Sequence, residues 1–159
     1  MIQSNKQHTL KSKITFNGVG LHTGEICTMT VVPAEGGHGY KFQRTDIEGQ
    51  PIIDACTKNV CSTLRSTSLG KDGVEVHTTE HILAALYASG IDNALIQLNG
   101  VEVPILDGSA EMFTQGIEKA GTKELGEDRL FFKVRKNISF IDKERGIEML
   151  IVPIEEDEL

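Results

Sequence analysis

The sequence has little of several residue types, and each shortage narrows what the chain can be. It contains no tryptophan and only 5% aromatic residues. No apolar run approaches the roughly 20 residues that a membrane-spanning helix needs, and the first residues lack the apolar stretch of a secretory signal peptide. The cysteines, Cys27, Cys56 and Cys61, are odd in number and form no C-x-x-C pair. This usage predicts free thiols in a reducing cytoplasm.

Positive charge is also scarce. The chain carries 16 lysines and arginines against 23 aspartates and glutamates, which gives a net charge of −7. A nucleic-acid-binding surface needs a basic face, so this balance argues against nucleic acid as a partner. It also provides no electrostatic attraction toward anionic lipid. The 159 residues, 39% of them hydrophobic, suffice for one domain, or for one domain and part of another.

The most informative feature that the sequence does have is a cluster of chemically active residues, His77-Thr78-Thr79-Glu80-His81. It matches the H-x-x-E-H pattern of the inverted zinc peptidases. Hydrolysis at zinc requires neutral imidazoles to hold the metal and a carboxylate to accept a proton from water. The pattern therefore indicates metal-assisted hydrolysis as one hypothesis for the function.

The residues around this cluster predict a short strand followed by a helix. Residues 74–77 alternate between apolar and polar, which is typical of a strand. Thr79 is a favoured N-cap residue, and residues 80–89 form a helical pattern that Gly90 can end. The apolar stripe of this helix is predicted to face the core and consists of Ile82, Leu83, Leu86 and Tyr87.

This arrangement separates the two histidines. Glu80 and His81 are predicted in the first helical turn, whereas His77 lies at the end of the strand. The pair would then not share a helix face, as zinc ligands spaced i and i+4 must. We interpret Glu80 and His81 as candidate functional residues and His77 as structural. A glutamate at this position also complements the helix dipole, and the local pattern leaves both readings of Glu80 open.

The rest of the chain predicts an α+β fold, a layered sheet with two main helices on one face. Strands are predicted at residues 26–32, 40–44, 94–98 and 101–105, with the last two joined by an Asn99-Gly100 hairpin turn. A second helix is predicted to begin at Ser109 or Ala110, to be capped by Asp107 or Ser109, and to run to Ala120 before Gly121. Its predicted core residues are Met112, Phe113 and Ile117.

A polar stretch at residues 122–128 is interpreted as a linker. We place a first domain at residues 1–126, followed at 127–159 by the linker and the initial strands of a second, truncated domain. Strands are predicted there at 130–135, 137–141 and 147–152, with a turn at 142–146. A hairpin of about 30 residues buries too little apolar surface to be stable alone.

The glycine-rich stretch Gly18–Gly24 matches neither phosphate-binding motif. Thr23 stands where the dinucleotide motif needs its third glycine, and Glu25 stands where the Walker loop needs lysine. A tight connection between two strands is the favoured interpretation. The sequence does not decide whether His22 within it is a surface residue or lines a cleft.

Three passages, taken in order, closely resemble one enzyme family. They are Gly18-Val-Gly-Leu-His-Thr-Gly24, Thr78-Thr-Glu-His81 leading through a helix into Gly90-Ile-Asp-Asn93, and Val103-Pro-Ile-Leu-Asp-Gly-Ser-Ala110. Together they resemble the N-terminal half of the UDP-(3-O-acyl)-N-acetylglucosamine deacetylases, the zinc amidases of lipid A synthesis. The resemblance begins at Gln7-His8-Thr9-Leu10 and extends over nearly the whole chain.

The resemblance implies specific roles for several residues. The family fold has two similar α+β domains with the active site between them, and this chain would supply the first. His81 would be a ligand of Zn²⁺, and Glu80 the general base in removing acetate from UDP-3-O-acyl-N-acetylglucosamine. Leu64, in the loop Ser62–Ser66, would contact substrate. Some relatives have a cysteine near the metal where this chain has Arg65, which puts a role for that side chain in doubt.

By the same resemblance, the other zinc ligands, a histidine and an aspartate, and a general-acid histidine lie in the second domain. We therefore expect that domain to be required, and the 159-residue chain to be inactive alone. Two alternatives remain. One is a self-contained zinc hydrolase that uses His77, His81 and a later carboxylate, Glu102 or Asp107. The other is a non-enzymatic domain that binds a nucleotide or a protein through its glycine-rich loop.

Overall fold

A computed structural model of the chain describes residues 5–154. The chain divides into two compact units, Met1–Asp128 and Arg129–Leu159. The domain boundary predicted from the sequence lies after residue 126. Among the described residues, no helix is long and apolar enough to cross a membrane.

A mixed sheet of five strands organises the first unit. Its order is β2 (Ile14–Val19), β3 (Ile26–Pro33), β9 (Ala94–Leu98), β4 (Tyr40–Arg44) and β5 (Ile52–Asp54). Neighbouring strands are antiparallel except β4 and β9, which run parallel. Alternate residues of β9 are buried, as expected of a strand that packs on a core. The strands predicted for β3, β4 and β9 are confirmed.

Two smaller sheets accompany the five-stranded sheet among the described residues of the first unit. One consists of β6 (Val60–Ser62), β7 (Ser68–Lys71) and β8 (Val74–Val76), with a short 3₁₀ turn at Thr57–Asn59 before it. The other pairs β1 (Lys6–Leu10) antiparallel with β10 (Thr122–Asp128). The prediction of a linker at 122–128 was therefore wrong. This strand is largely exposed and charged, so it lacks the apolar pattern by which strands are recognised.

Two α-helices, α1 (Glu80–Ala88) and α2 (Glu111–Ala120), pack against each other, and α2 also contacts β2. Together with the mixed sheets they confirm the predicted α+β class. Phe113 of α2 meets the ring of Phe16 edge to face at 5.0 Å between centroids. Gly116 makes this contact possible, because a Cβ there would lie 2.6 Å from the Phe16 ring.

The predicted core residues of the helices were mostly right. Ile82, Leu86, Phe113 and Ile117 are buried, and Leu83 packs against the core. Two predictions were wrong, since Tyr87 is 80% exposed and Met112 is 44% exposed. Each follows or precedes a buried residue directly, and a step of one residue turns about 100° around the helix axis and away from the core.

The predicted Asn99-Gly100 hairpin was also wrong. Both edges of β9 are already paired, with β3 and with β4, so the chain after residue 98 leaves the sheet. The Asn99 side-chain oxygen accepts a hydrogen bond from the Thr28 backbone N–H. Residues 101–105 form no strand. An isolated parallel bridge instead joins Glu102 to His77.

The described part of the second unit, residues 129–154, is an antiparallel hairpin of β11 (Ile138–Asp142) and β12 (Ile147–Ile151). In the turn between them, the Asp142 side chain accepts hydrogen bonds from the backbone N–H groups of Glu144 and Arg145. The strand predicted at 130–135 is not formed. All of β12 is exposed, so the apolar sequence of this hairpin makes no core within the described residues of the unit.

Candidate active site

The candidate site begins where β8 passes into α1. β8 ends at Val76, and Thr79 is the N-cap of a helix whose first residue is Glu80. Between them, Thr78 has a φ of 58°, in the left-handed region that β-branched residues rarely occupy. The predicted helix start is thereby confirmed, and His77 lies outside the helix.

His77 is held by its neighbours in the small sheet. Its backbone N–H donates to the Val101 carbonyl at 2.8 Å, and its carbonyl accepts from the Val103 N–H at 3.1 Å. In the side chain, Nδ1 is hydrogen-bonded to Ser68 Oγ at 2.7 Å, and Nε2 lies 3.5 Å from a carboxylate oxygen of Glu75. These contacts give His77 a structural role in joining β7, β8 and the 101–103 segment.

The start of α1 is held by hydrogen bonds to Thr67, and its N-cap residue makes no side-chain cap hydrogen bond. Thr79 is N-cap in position, but its backbone is helical and its hydroxyl donates to the Thr67 carbonyl at 3.0 Å. The extended backbone of a typical N-cap, which turns the side chain toward the helix, is absent at this residue. The Thr67 N–H in turn donates to Glu80 Oε2 at 2.9 Å. Glu80 therefore has one carboxylate oxygen in a fixed position.

The loop with the predicted substrate contact leads directly into Thr67. Leu64 is 82% exposed, and its backbone N–H donates to Ser62 Oγ. Arg65 has a left-handed backbone, with a φ of 62°. Because Thr67 bonds to both Thr79 and Glu80, this loop is anchored beside the start of α1.

His81 is the next residue after Glu80 in the first turn of α1, and both are half-buried. Within residues 5–154, no group of three or more histidine, cysteine, aspartate or glutamate side chains is arranged to hold a metal ion. A catalytic zinc needs about three protein ligands. These residues alone therefore do not fit a complete zinc centre, and His81 supplies at most one ligand.

The carboxylates considered for a self-contained zinc site are engaged elsewhere. Asp107 accepts hydrogen bonds from the N–H and the hydroxyl of Ser109, whose own hydroxyl accepts from the Glu111 N–H at the start of α2. The N-cap of α2 is Ala110, which makes no side-chain cap hydrogen bond, so the prediction that Asp107 or Ser109 is the cap was wrong, although Ser109 accepts from the first N–H of the helix. Glu102 is committed to a separate network, and a site built from His77, His81 and either carboxylate has no support in the geometry.

That network is the feature that sequence reasoning missed. Glu102 is only 2% exposed. Its carboxylate accepts from the N–H groups of His22 at 3.1 Å and Thr23 at 2.9 Å, from the Thr23 hydroxyl at 2.9 Å and from the Thr78 hydroxyl at 2.7 Å. Burial alone would raise the pKa of Glu102, but these hydrogen bonds outweigh it and hold the pKa below its usual value. One carboxylate thus binds the glycine-rich loop and the residue that precedes Thr79.

The glycine-rich loop joins β2 to β3, as predicted. It is closed by hydrogen bonds from the Gly20 N–H to the Glu25 carbonyl and from the Gly24 N–H to the Gly20 carbonyl. The N–H groups of His22 and Thr23, which would be needed to hold a phosphate, already donate to Glu102. The nucleotide-binding alternative therefore loses two of its donors.

The first turn of α1, beside the anchored loop, places a candidate proton acceptor, Glu80, next to a candidate metal ligand, His81. The family model for UDP-3-O-acyl N-acetylglycosamine deacetylase matches residues 7–158. The chain belongs to this family, which confirms the resemblance identified from its sequence motifs.

Individual relatives agree. The bifunctional enzyme LpxC/FabZ of Bacteroides thetaiotaomicron is 51% identical over 150 residues, which cover 94% of this chain and 32% of that protein. The UDP-3-O-acyl-N-acetylglucosamine deacetylase of Geotalea uraniireducens is 46% identical over 144 residues, covering 91% of this chain and 47% of that protein. The chain thus spans between about a third and about half of the length of these curated relatives.

Proposed function

We propose that this chain forms part of a zinc-dependent deacetylase that removes acetate from UDP-3-O-acyl-N-acetylglucosamine, in the cytoplasm and as a step of lipid A biosynthesis. The observation that carries the proposal is the adjacent pair Glu80 and His81 in the first turn of α1, with Glu80 fixed by Thr67. Family membership supports the reaction class. The free cysteines Cys27, Cys56 and Cys61 suit a reducing compartment.

In this proposal His81 is one ligand of the metal, and further ligands and a general acid come from outside the described residues. A single histidine does not hold zinc, and the lack of a cluster of three metal-binding side chains among the described residues supports this division. Zinc, when bound, supplies Lewis-acid polarisation of the amide carbonyl and lowers the pKa of water toward about 7.

Glu80 does the proton transfer. Its carboxylate accepts a proton as water attacks the acetamide, a role that typically contributes about 10²–10⁴ in rate. The Thr67 N–H fixes Oε2, so the carboxylate keeps one orientation toward the reacting water. The exposed Leu64, in the loop that Thr67 anchors, offers apolar surface to the substrate.

The test is acetate release by a protein of full family length. We expect activity on UDP-3-O-acyl-N-acetylglucosamine that a zinc chelator abolishes and added zinc restores, and that His81→Ala removes under all conditions. His38→Ala, in the loop before β4, is the matched control and should retain activity. Turnover by the His81→Ala variant near the level of the parent, or activity indifferent to the chelator, would contradict the proposal.

A further inference from the structure

One buried carboxylate connects two segments that are far apart in sequence. Glu102 accepts hydrogen bonds from His22 and Thr23 in the glycine-rich loop, and at 2.7 Å from the hydroxyl of Thr78. Thr78 is two residues before Glu80 and three before His81. The loop and the start of α1 are therefore each within a single hydrogen bond of the same group.

Thr78 itself is in a conformation that needs support. It is β-branched and 1% exposed, and its φ is 58°. Residues with such backbones are strained and persist where the surroundings fix them. This backbone turns the chain from β8 into α1, so the directions of the Glu80 and His81 side chains depend on it. The hydrogen bond to Glu102 is what holds the Thr78 side chain.

The glycine-rich loop is shaped around the same carboxylate. A Cβ on Gly20 would lie 2.3 Å from Glu102 Oε2 and 2.3 Å from Thr23 Oγ1, so residue 20 can carry no side chain while the network is intact. The Thr23 hydroxyl also accepts from the Glu25 N–H, which continues the network to the start of β3. The loop, the carboxylate and Thr78 thus form one hydrogen-bonded assembly.

We propose that Glu102 is a positioning residue of the active centre. It holds Thr78 in its left-handed conformation, which sets Glu80 and His81 at the head of α1, and it binds the glycine-rich loop through His22 and Thr23. The inference rests on the proposed function in one respect, that Glu80 and His81 do the chemistry. A buried carboxylate with a purely structural role would stabilise the fold without affecting the orientation of those two side chains.

Thr78 offers a matched pair of variants for the test in a protein of full family length. Thr78→Val replaces the hydroxyl with a methyl group and keeps the side-chain shape, whereas Thr78→Ser keeps the hydroxyl. We expect Thr78→Val to lower kcat by about 10–100-fold, which is the usual effect of losing a residue that orients the ligands of a metal without binding it. The KM should change little, and Thr78→Ser should recover most of the kcat. Equal kcat values for the two variants, each corrected for the folded fraction, would overturn the inference.

A second measurement does not depend on activity. In the 159-residue chain, the amides of Thr79 and Leu83 donate to the carbonyls of Thr67 and Thr79. Thr78→Val should speed hydrogen exchange at both amides while leaving the amides of β9 unchanged. Unchanged exchange at Thr79 and Leu83 would overturn the inference, because the helix start would then not depend on Glu102.

A parallel Glu80→Gln variant separates this inference from the proposed function. If Glu80→Gln keeps normal turnover, the proposed chemistry fails whatever the Thr78 variants do, and the exchange data still decide whether Glu102 sets the helix start. If Glu80→Gln is inactive and Thr78→Val has the kcat of Thr78→Ser, the chemistry stands and the positioning role is wrong.

Discussion

Two glutamates, Glu102 and Glu80, each centre a group of hydrogen bonds near the start of α1, and they differ in burial and in the number of bonds that they accept. Glu102 is buried and accepts hydrogen bonds from His22, Thr23 and Thr78. Glu80 is half-buried, and Thr67 fixes one of its oxygens. The first carboxylate is saturated by the protein itself and cannot accept a proton without losing those bonds. The second is oriented but not enclosed, which is what a general base requires.

The sharpest way to test this contrast is to neutralise Glu80. Glu80→Gln in a protein of full family length should lower kcat by about 10²–10⁴, because the amide cannot accept the proton from water. The free energy of unfolding should fall by only about 1 kcal/mol, since one hydrogen bond is affected. Steady-state acetate release and urea unfolding measure the two effects. Glu75→Gln, on the exposed side of β8, is the control for loss of a charge.

A substitution beside the buried Glu102 should, by contrast, lower the free energy of unfolding. Gly20→Ala forces a methyl group against the Glu102 carboxylate, and we expect the free energy of unfolding of this chain to fall by about 1–3 kcal/mol. Gly126→Ala is the matched control, because no atom lies within 4 Å of a Cβ at that position and the backbone has no positive φ. Urea unfolding of both variants gives the comparison. Equal stabilities would mean that the loop is not built around the carboxylate.

Acid should weaken the enclosed region. The pKa of Glu102 is lowered in the folded chain, so its contribution to stability is present above its ordinary pKa of about 4.5 and is lost as the pH falls through the folded value. Glu102→Gln should therefore be destabilised at neutral pH, by roughly 1.5–3 kcal/mol for hydrogen bonds to a charged group. The difference in the free energy of unfolding between this variant and the parent should narrow below pH 4.5. A gap that is constant from neutral to acid pH contradicts a charged Glu102.

The smallest effect is expected from a substitution at His77, whose side chain is hydrogen-bonded to Ser68 rather than to Glu80 or Glu102. His77→Ala removes the hydrogen bond to Ser68 but leaves the backbone contacts with Val101 and Val103. We expect the free energy of unfolding to fall by about 0.5–1.5 kcal/mol and turnover to stay close to that of the parent. A loss of turnover as large as that of His81→Ala would make His77 a candidate zinc ligand again.

The parts of the fold that the sequence predicts well are those set by local pattern. The position of α1 is predicted correctly from the strand before it, from Thr79 and from the apolar stripe that ends at Gly90. These signals are local, because they depend on the periods of strand and helix and on a left-handed stop. Gly90 has a φ of 70°, as that stop requires. The relation to the deacetylase family also depends on local motifs, and it too was found from the sequence.

What the sequence does not show are the partners of polar residues across the fold. Glu102 stands between Val101 and Val103 and looks like the polar position of an alternating strand. Its partners Thr23 and Thr78 are 79 and 24 residues away, and no local rule predicts such contacts. The Asn99-Gly100 hairpin failed for the same reason, since β3 and β4 pair with β9 from elsewhere in the chain.

The proposal that His81 is one ligand of a zinc site that this chain does not complete is tested most directly by the stoichiometry and affinity of zinc binding to the 159-residue chain, with His77→Ala and His81→Ala measured beside it by calorimetry. We expect weak or undetectable binding to this chain, and tight one-to-one binding to a protein of full family length that His81→Ala abolishes and His77→Ala leaves intact. Tight one-to-one binding to the 159-residue chain, lost in both variants, would contradict it, because a complete zinc site would then lie within these residues.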